Sequence, residues 1–174
     1  SKPILTVMAL ALTALLHGQT VHAGDVAINA TNFPDEYFRD YVSTKFDYNE
    51  DGILSEEEAS WVSLIYVADC TSPTGPWYGN IKSLKGIEYF ANLKELDCSG
   101  NPLTGLDVSK NTKLETFYCC RTPLTSLDVT KNTELVHLTC YGNEFTRLDV
   151  TKNTKLDWLD CSQNQISSLD TSKN

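Results

Sequence analysis

The sequence has little with which to cross a membrane, grip a polyanion or run imidazole chemistry. Its longest apolar stretch, Ile4 to Leu16, is 13 residues, against the ~20 that a helix needs to span a bilayer. Basic residues number 14 against 23 acidic ones, a formal net charge of −9. Without a basic face there is nothing to displace counterions from a polyanion, which excludes nucleic acid and acidic lipid surfaces as partners. Histidine is scarce. Of three, His17 and His22 fall near the amino terminus, so an imidazole base would have to be His137. No carboxylate partner for it is fixed by the sequence, and an open strand face offers neither water exclusion nor an oxyanion site. The chain is therefore read as no enzyme.

The short apolar stretch has another use. Lys2 precedes it, and Val21-His22-Ala23 follows it with small residues at the −3 and −1 positions of a signal-peptidase site. Residues 1–23 read as a secretory signal peptide, with a mature chain beginning at Gly24; the alternative, an uncleaved anchor, lacks the length. Cleavage removes one lysine and no acid, so the product is more acidic still. The expected location is extracellular, secreted or at the cell surface, with no transmembrane segment in the mature chain.

Six cysteines in an exported chain would ordinarily suggest a disulfide framework. Their spacing points elsewhere, because Cys98, Cys119, Cys140 and Cys161 recur every 21 residues, and only Cys70 and Cys120 fall outside the series. The same period governs Leu93, Leu114, Leu135 and Leu156, which open four units of the form L-x-x-[LF]-x-C-x-x-[NT]-x-[LFI]-x-x-L-D-[VT]-[ST]-K-N, the last incomplete at Asn174. A fixed period with this many positions in register is the signature of a stacked repeat.

These units resemble bacterial leucine-rich repeats in the short 21-residue form of internalin-like surface proteins, closely over residues 93–174 and loosely over 62–92. Leu93, Leu96 and Cys98 alternate as a strand does, which turns Leu96 and Cys98 inward and Glu95, Asp97 and Ser99 toward water. One coil cannot close a core; stacking coils at ~4.8 Å pairs each strand with the next and buries the Leu and Cys rows. Asn101, Asn143 and Asn164 would turn an amide inward to serve free backbone groups. Thr122 breaks that row, and a weaker turn is expected there. Each unit holds the pattern twice, since Leu103-x-x-Leu106-Asp107-Val108 repeats Leu93-x-x-Leu96-Asp97-Cys98, so both sides of the coil are expected to be strands. Asp107, Asp128, Asp149 and Asp170 would stack beside Lys110, Lys131, Lys152 and Lys173, either as a solvated face or as a row of metal ligands; the solvated face is preferred. Adjacent Cys98 and Cys119 lie within disulfide range, but inert small hydrophobes are the preferred reading of the cysteine row. Cys120, on the solvent side of its strand, and Cys70, in a loop, are the exposed thiols.

Ahead of the repeats, Asp47-Tyr48-Asn49-Glu50-Asp51-Gly52-Ile53-Leu54-Ser55-Glu56-Glu57-Glu58 fits D-x-[DN]-x-[DN]-G-x5-E over all 12 positions and resembles a solitary EF-hand loop. Such a loop binds Ca2+ because a hard cation wants six to eight oxygens. Asp47, Asn49 and Asp51 offer side chains, Ile53 its carbonyl, Ser55 a hydroxyl or bound water, and Glu58 both carboxylate oxygens. Ser55-x-x-Glu58 is also a capping box, so a metal-free helical hairpin would use the same residues. The alternating oxygens and Gly52 favour calcium. Leu54 would tether the loop to a core, although no second hand is present to share it. Apolar residues Tyr37, Phe38, Tyr41, Val42 and Phe46 follow Pro34 at helical spacing, and a second helix opens at Ser55.

The fold expected is a mainly β repeat solenoid of short parallel strands with a small α-helical, EF-hand-like cap at its amino end. Its parts are the signal peptide at 1–23, the helical cap at 24–61, an irregular first coil at 62–92 and the repeats at 93–174. Residues 71–80 interrupt the first coil with Trp77 and Tyr78, which either plug its edge or face a ligand. On the outward sheet face, Tyr118, His137, Tyr141 and Trp158 are the candidate ligand-binding residues, since rigid aromatics on an ordered sheet suit a protein or glycan. By the resemblance, the function expected is a binding or adhesion module; the alternative is a passive spacer for a further domain.

Overall fold

The computed structural model describes residues 22–68 and 79–174. Most of the signal-peptide reading, Cys70, Trp77 and Tyr78 therefore lie outside the described residues. Among those described, no helix is long and apolar enough to cross a membrane.

The chain opens with a strand β1 (Val26–Ala27), a helix α1 (Glu36–Phe46), a strand β2 (Ile53–Leu54) and a helix α2 (Glu56–Trp61). α1 starts where it does because the Asp35 carboxylate accepts from the N–H groups of Tyr37 and Phe38, both at 3.0 Å, satisfying two donors that a first helical turn leaves orphaned. Its Phe38, Tyr41, Val42 and Phe46 fall on one face and are buried. Asp35 also ties the helix start to the first coil, because its other oxygen accepts from Lys82 N at 2.8 Å and Ser83 N at 3.3 Å. α2 carries the full capping box, with Ser55 Oγ accepting from Glu58 N and Glu58 Oε2 accepting from Ser55 N.

Five strands then form one parallel sheet in chain order: β3 (Leu64–Tyr66), β4 (Glu95–Asp97), β5 (Thr116–Tyr118), β6 (His137–Thr139) and β7 (Trp158–Asp160). Registered partners are 21 residues apart from β4 onward, whereas Leu64 pairs with Glu95, so the first coil is ten residues longer than the rest. Inside the coils Leu93, Leu114 and Leu135, then Leu96, Phe117 and Leu138, then Cys98, Cys119 and Cys140 are fully buried. Each leucine contributes roughly 1.5–3 kcal/mol by leaving water. One apolar cluster runs from Phe33 in the cap to Leu156. Phe46 on Phe90 (5.3 Å between ring centres) and Phe33 on Tyr89 (5.6 Å) join cap to coil.

The expected second sheet is not formed. Opposite the strands the chain makes tight turns, with Asn111 N donating to Val108 O and Leu114 N to Asn111 O, and the same pair of bonds recurs at Asn132 and Asn153. Backbone donors spent within a coil cannot build a ladder between coils. Side-chain amides link the coils instead. Asn132 Nδ2 donates to Val108 O and Asn111 O, and Asn153 Nδ2 to Val129 O and Asn132 O, all at 2.8–2.9 Å. The strand side has its own amide row. Asn143 Nδ2 donates to Cys119 O and Cys140 O, and Asn164 Nδ2 to Cys140 O and Cys161 O. Thr122 interrupts the row but is not orphaned, because its hydroxyl meets Asn143 Oδ1 at 2.6 Å and Asn143 Oδ1 also accepts from Thr122 N. What Thr122 gives up is the reach back to the preceding coil.

Candidate functional site

Two regions carry chemistry, the loop of residues 47–58 and the outward face of the sheet. In the loop, Asp47 and Glu58 are buried, 6 % and 5 % exposed, and neither makes an ion pair among the described residues. The acidic oxygens are turned on the loop's own backbone. Asp47 accepts from Asp51 N (3.0 Å) and Gly52 N (2.9 Å), Asn49 Oδ1 from Asp51 N (3.2 Å), and Asp51 Oδ1 from Ile53 N (2.7 Å). Glu58 Oε1 accepts from Tyr48 N at 2.9 Å, and its Oε2 from Ser55 N and Oγ. Glu50 and Gly52 take left-handed backbone conformations, φ 57° and 77°, which close the turn. β2 pairs antiparallel with β1, Ala27 to Ile53 and Val26 to Leu54, so the end of the loop is held by a local strand.

Burial raises the Asp47 pKa above its ordinary value; hydrogen bonds from Gly52 and Asp51 oppose the shift, and the nearby charges of Asp51 and Glu58 add to it. Carboxylates crowded without a cationic partner form a donor set that suits a hard divalent cation. In the arrangement described, however, no three acidic, histidine or cysteine side chains among the described residues converge as metal ligands. Ser55 and Glu58, which the calcium reading also requires, make the hydrogen bonds of a capping box in this arrangement.

The sheet presents two outward columns, Leu64, Glu95, Thr116, His137, Trp158 and Tyr66, Asp97, Tyr118, Thr139, Asp160. Leu64, Tyr66 and Trp158 are 48 %, 42 % and 60 % exposed, and the two other strongly exposed large apolar side chains among the described residues, Tyr48 and Trp61, form a tilted ring pair in the cap (5.9 Å). The repeat spacing alone puts Tyr118, Tyr141 and Trp158 within reach of one another. The structure sets them in separate columns, with no ring contact among them; Tyr141 instead lies under the guanidinium of Arg121, 5.3 Å from ring centre to Cζ. His137 is exposed between Thr116 and Trp158, with no carboxylate beside it in register. Leu64, Tyr66, Tyr48 and Trp61 are surface residues that sequence reasoning missed. The outward alternation of Leu64 and Tyr66 around Ile65 was the available signal.

Two residues expected at the surface are not there. Cys120 is 5 % exposed and Ser99 6 %. They are column neighbours drawn together, Cys120 N donating to Ser99 Oγ at 3.0 Å and Cys120 Sγ meeting Thr139 O at 3.3 Å. The five described cysteines are unbridged. Burial pushes the Cys140 thiol up to about 12 and raises Cys98 and Cys119 as well, which favours the protonated thiol at these three positions. The aspartate row is taken up locally: Asp128 and Asp149 accept from the N–H and hydroxyl of Thr130 and Thr151, and Asp107 from Ser109 N.

Comparison with known proteins agrees with this architecture. A leucine-rich repeat family model matches residues 92–112. Over 111 residues the chain is 33 % identical to Internalin J of Listeria monocytogenes serotype 4b (strain F2365), an alignment spanning 64 % of this chain and 10 % of that protein. The solved functional domain of InlJ from Listeria monocytogenes, which includes a cysteine ladder, superposes with a TM-score of 0.74 at 31 % identity, covering 90 % of this chain and 32 % of that one. The internalin InlF of Listeria monocytogenes strain 4b F2365 shares the fold at 18 % identity, with a TM-score of 0.65 over 82 % of this chain and 47 % of that one. The chain thus spans about a tenth of the curated relative and about a third of the InlJ structure. It has the fold of a leucine-rich repeat solenoid and is similar to internalins over part of their length.

Proposed function

We propose that this chain is an extracellular recognition module that binds a protein or glycan on its outward sheet face and holds Ca2+ in the loop of residues 47–58. One observation carries the first half. Among the described residues, and outside the cap pair, the strongly exposed large apolar side chains, Leu64, Tyr66 and Trp158, all stand on that one face. Apolar surface gathered on one side of a rigid sheet is what a partner buries. Likeness to internalins supports a location outside the cell and argues against catalysis, and stacked repeats present extended surfaces suited to binding a partner.

The calcium half rests on the 12-position match and on two buried acids that make no ion pair among the described residues. Asp47, Asn49, Asp51, Ser55 and Glu58 with the Ile53 carbonyl would hold the ion, which supplies positive charge where burial now disfavours negative charge. The test uses Trp61 as reporter, in a protein with Trp77 and Trp158 changed to Phe. Calcium at about 10⁻⁴ to 10⁻³ M, the range of extracellular modules, is expected to alter its emission and raise Tm, and Asp47→Asn with Glu58→Gln to abolish both effects. Unchanged emission and Tm at millimolar calcium would leave the loop a capped hairpin. For the face, Tyr118→Ala with Trp158→Ala is expected to remove capture of the protein by host-surface protein or glycan arrays without lowering Tm; capture equal to that of the parent would return the solenoid to a spacer.

A further inference from the structure

The outward face is not only apolar. Its ten positions include Glu95, Asp97 and Asp160 and no lysine or arginine. Basic groups close to the strands are already engaged by neighbours: Lys94 bridges to Glu115 (2.7 Å), Lys155 to Glu134 (2.6 Å), Lys113 donates to Asn92 Oδ1 (2.6 Å), and Arg121 lies on Tyr141. The face acids are held differently. Asp97 Oδ1 accepts from Ser99 N at 3.0 Å, and Asp160 Oδ1 from Ser162 N at 3.0 Å and Ser162 Oγ at 2.7 Å. Those bonds orient each carboxylate, and among the described residues the second oxygen of each accepts no hydrogen bond. The bonds from Ser162 also hold Asp160 below its ordinary pKa, and therefore ionised.

Asp97 has a particular setting. Register places Tyr66 on one side of it and Tyr118 on the other, each about 4.8 Å away across the sheet. A carboxylate between two rings offers a cation both a counter-charge and aromatic faces. The chain itself shows a guanidinium over a single tyrosine ring of this surface, Arg121 over Tyr141. Asp160 lies three strands farther along the same column, with Trp158 two residues before it on the same face.

We infer that the partner segment is basic and extended, laid across the strands with two cationic side chains four residues apart, one seated at Asp97 between Tyr66 and Tyr118 and the other at Asp160 beside Trp158. The spacing follows from geometry. Three strand separations make about 14 Å, and four residues of extended chain advance about 13 Å with both side chains on one side. The net charge of −9 steers such a segment toward the protein. This inference rests on the reading that the sheet face is the binding surface.

The test titrates the full chain by calorimetry with two synthetic peptides of equal composition, one with arginines at i and i+4 in a Thr- and Val-rich extended sequence, the other with them adjacent. The spaced peptide is expected to bind about tenfold more tightly, to weaken as salt is raised, and to lose that advantage with Asp97→Asn and Asp160→Asn. These variants keep the oxygens that accept from Ser99 and Ser162, so the turns survive, and Glu134→Gln, outside the two columns, should change nothing. Equal affinity for both peptides, no binding of either, or binding untouched by the Asp97 and Asp160 variants would overturn the inference. A neutral chitooligosaccharide bound by the parent, lost in Tyr118→Ala with Trp158→Ala and retained in the Asp variants would overturn it while leaving the face as the binding surface. Ligand binding indifferent to every face substitution would end both.

Discussion

At the scale of single residues, the structure shows which sequence features are obligatory. Gly86 has φ 108°, and a Cβ built there would lie 2.2 Å from Phe33 Cδ1. Backbone conformation and space both demand glycine where the cap meets the first coil. Gly86→Ala is expected to cost about 3 kcal/mol or more in urea unfolding, whereas Gly105→Ala, with nothing within 4 Å of the added carbon, should stay within about 0.5 kcal/mol. Thr122 is the reverse case, a residue that falls short of its row. It satisfies Asn143 but does not reach the preceding coil, as Asn143 does to Cys119 O. Thr122→Asn is expected to add about 1 kcal/mol and to slow hydrogen exchange from Arg121 to Leu124; equal protection before and after would show that the threonine already closes the turn as well as the amide.

Turns and strands divide the labour between the two sides of a coil. On the strand side the main chain links coils beside a row of asparagine amides, and on the other side the turns spend backbone donors within the coil and leave the link to amides, which is why the second half of each unit, so like the first in sequence, does not become a strand. The aspartates that end this side act within their own turns. Hydrogen bonds from the hydroxyl and N–H two residues on hold Asp107, Asp128 and Asp149 below the ordinary carboxylate value, and Asp170 likewise. A depressed folded-state pKa stabilises the fold above the unfolded value of 3.8, and that contribution is lost as pH falls through the lowered values. Denaturant midpoints should therefore decline on acidification from about pH 5 to about pH 2, with a smaller decline when Asp128 and Asp149 are replaced by Asn. An unchanged slope in those variants would assign the acid sensitivity elsewhere.

For the whole molecule, the continuous core from Phe33 to Leu156 makes cap and solenoid one mechanical object. In a stack where each coil leans on the last, stabilisation of one end spreads to its neighbours and fades with distance. Calcium is accordingly expected to slow hydrogen exchange in the cap first, then in β3 and β4, and least in β7; protection confined to residues 47–58 would mean that Phe46 on Phe90 and Phe33 on Tyr89 transmit nothing. The sequence by itself determined the period, the inward Leu, Cys and Asn rows, the calcium-loop match and the excess of acid, because each is a matter of residue type at a fixed spacing. It could not determine that the coil has one sheet and not two, that Cys120 and Ser99 are covered, that Tyr141 is engaged by Arg121, or that Asp97 lies between two tyrosines. Those depend on which donors the turns consume and on what the next coil, 21 residues away, places alongside, and such pairings exist only once the coils are stacked.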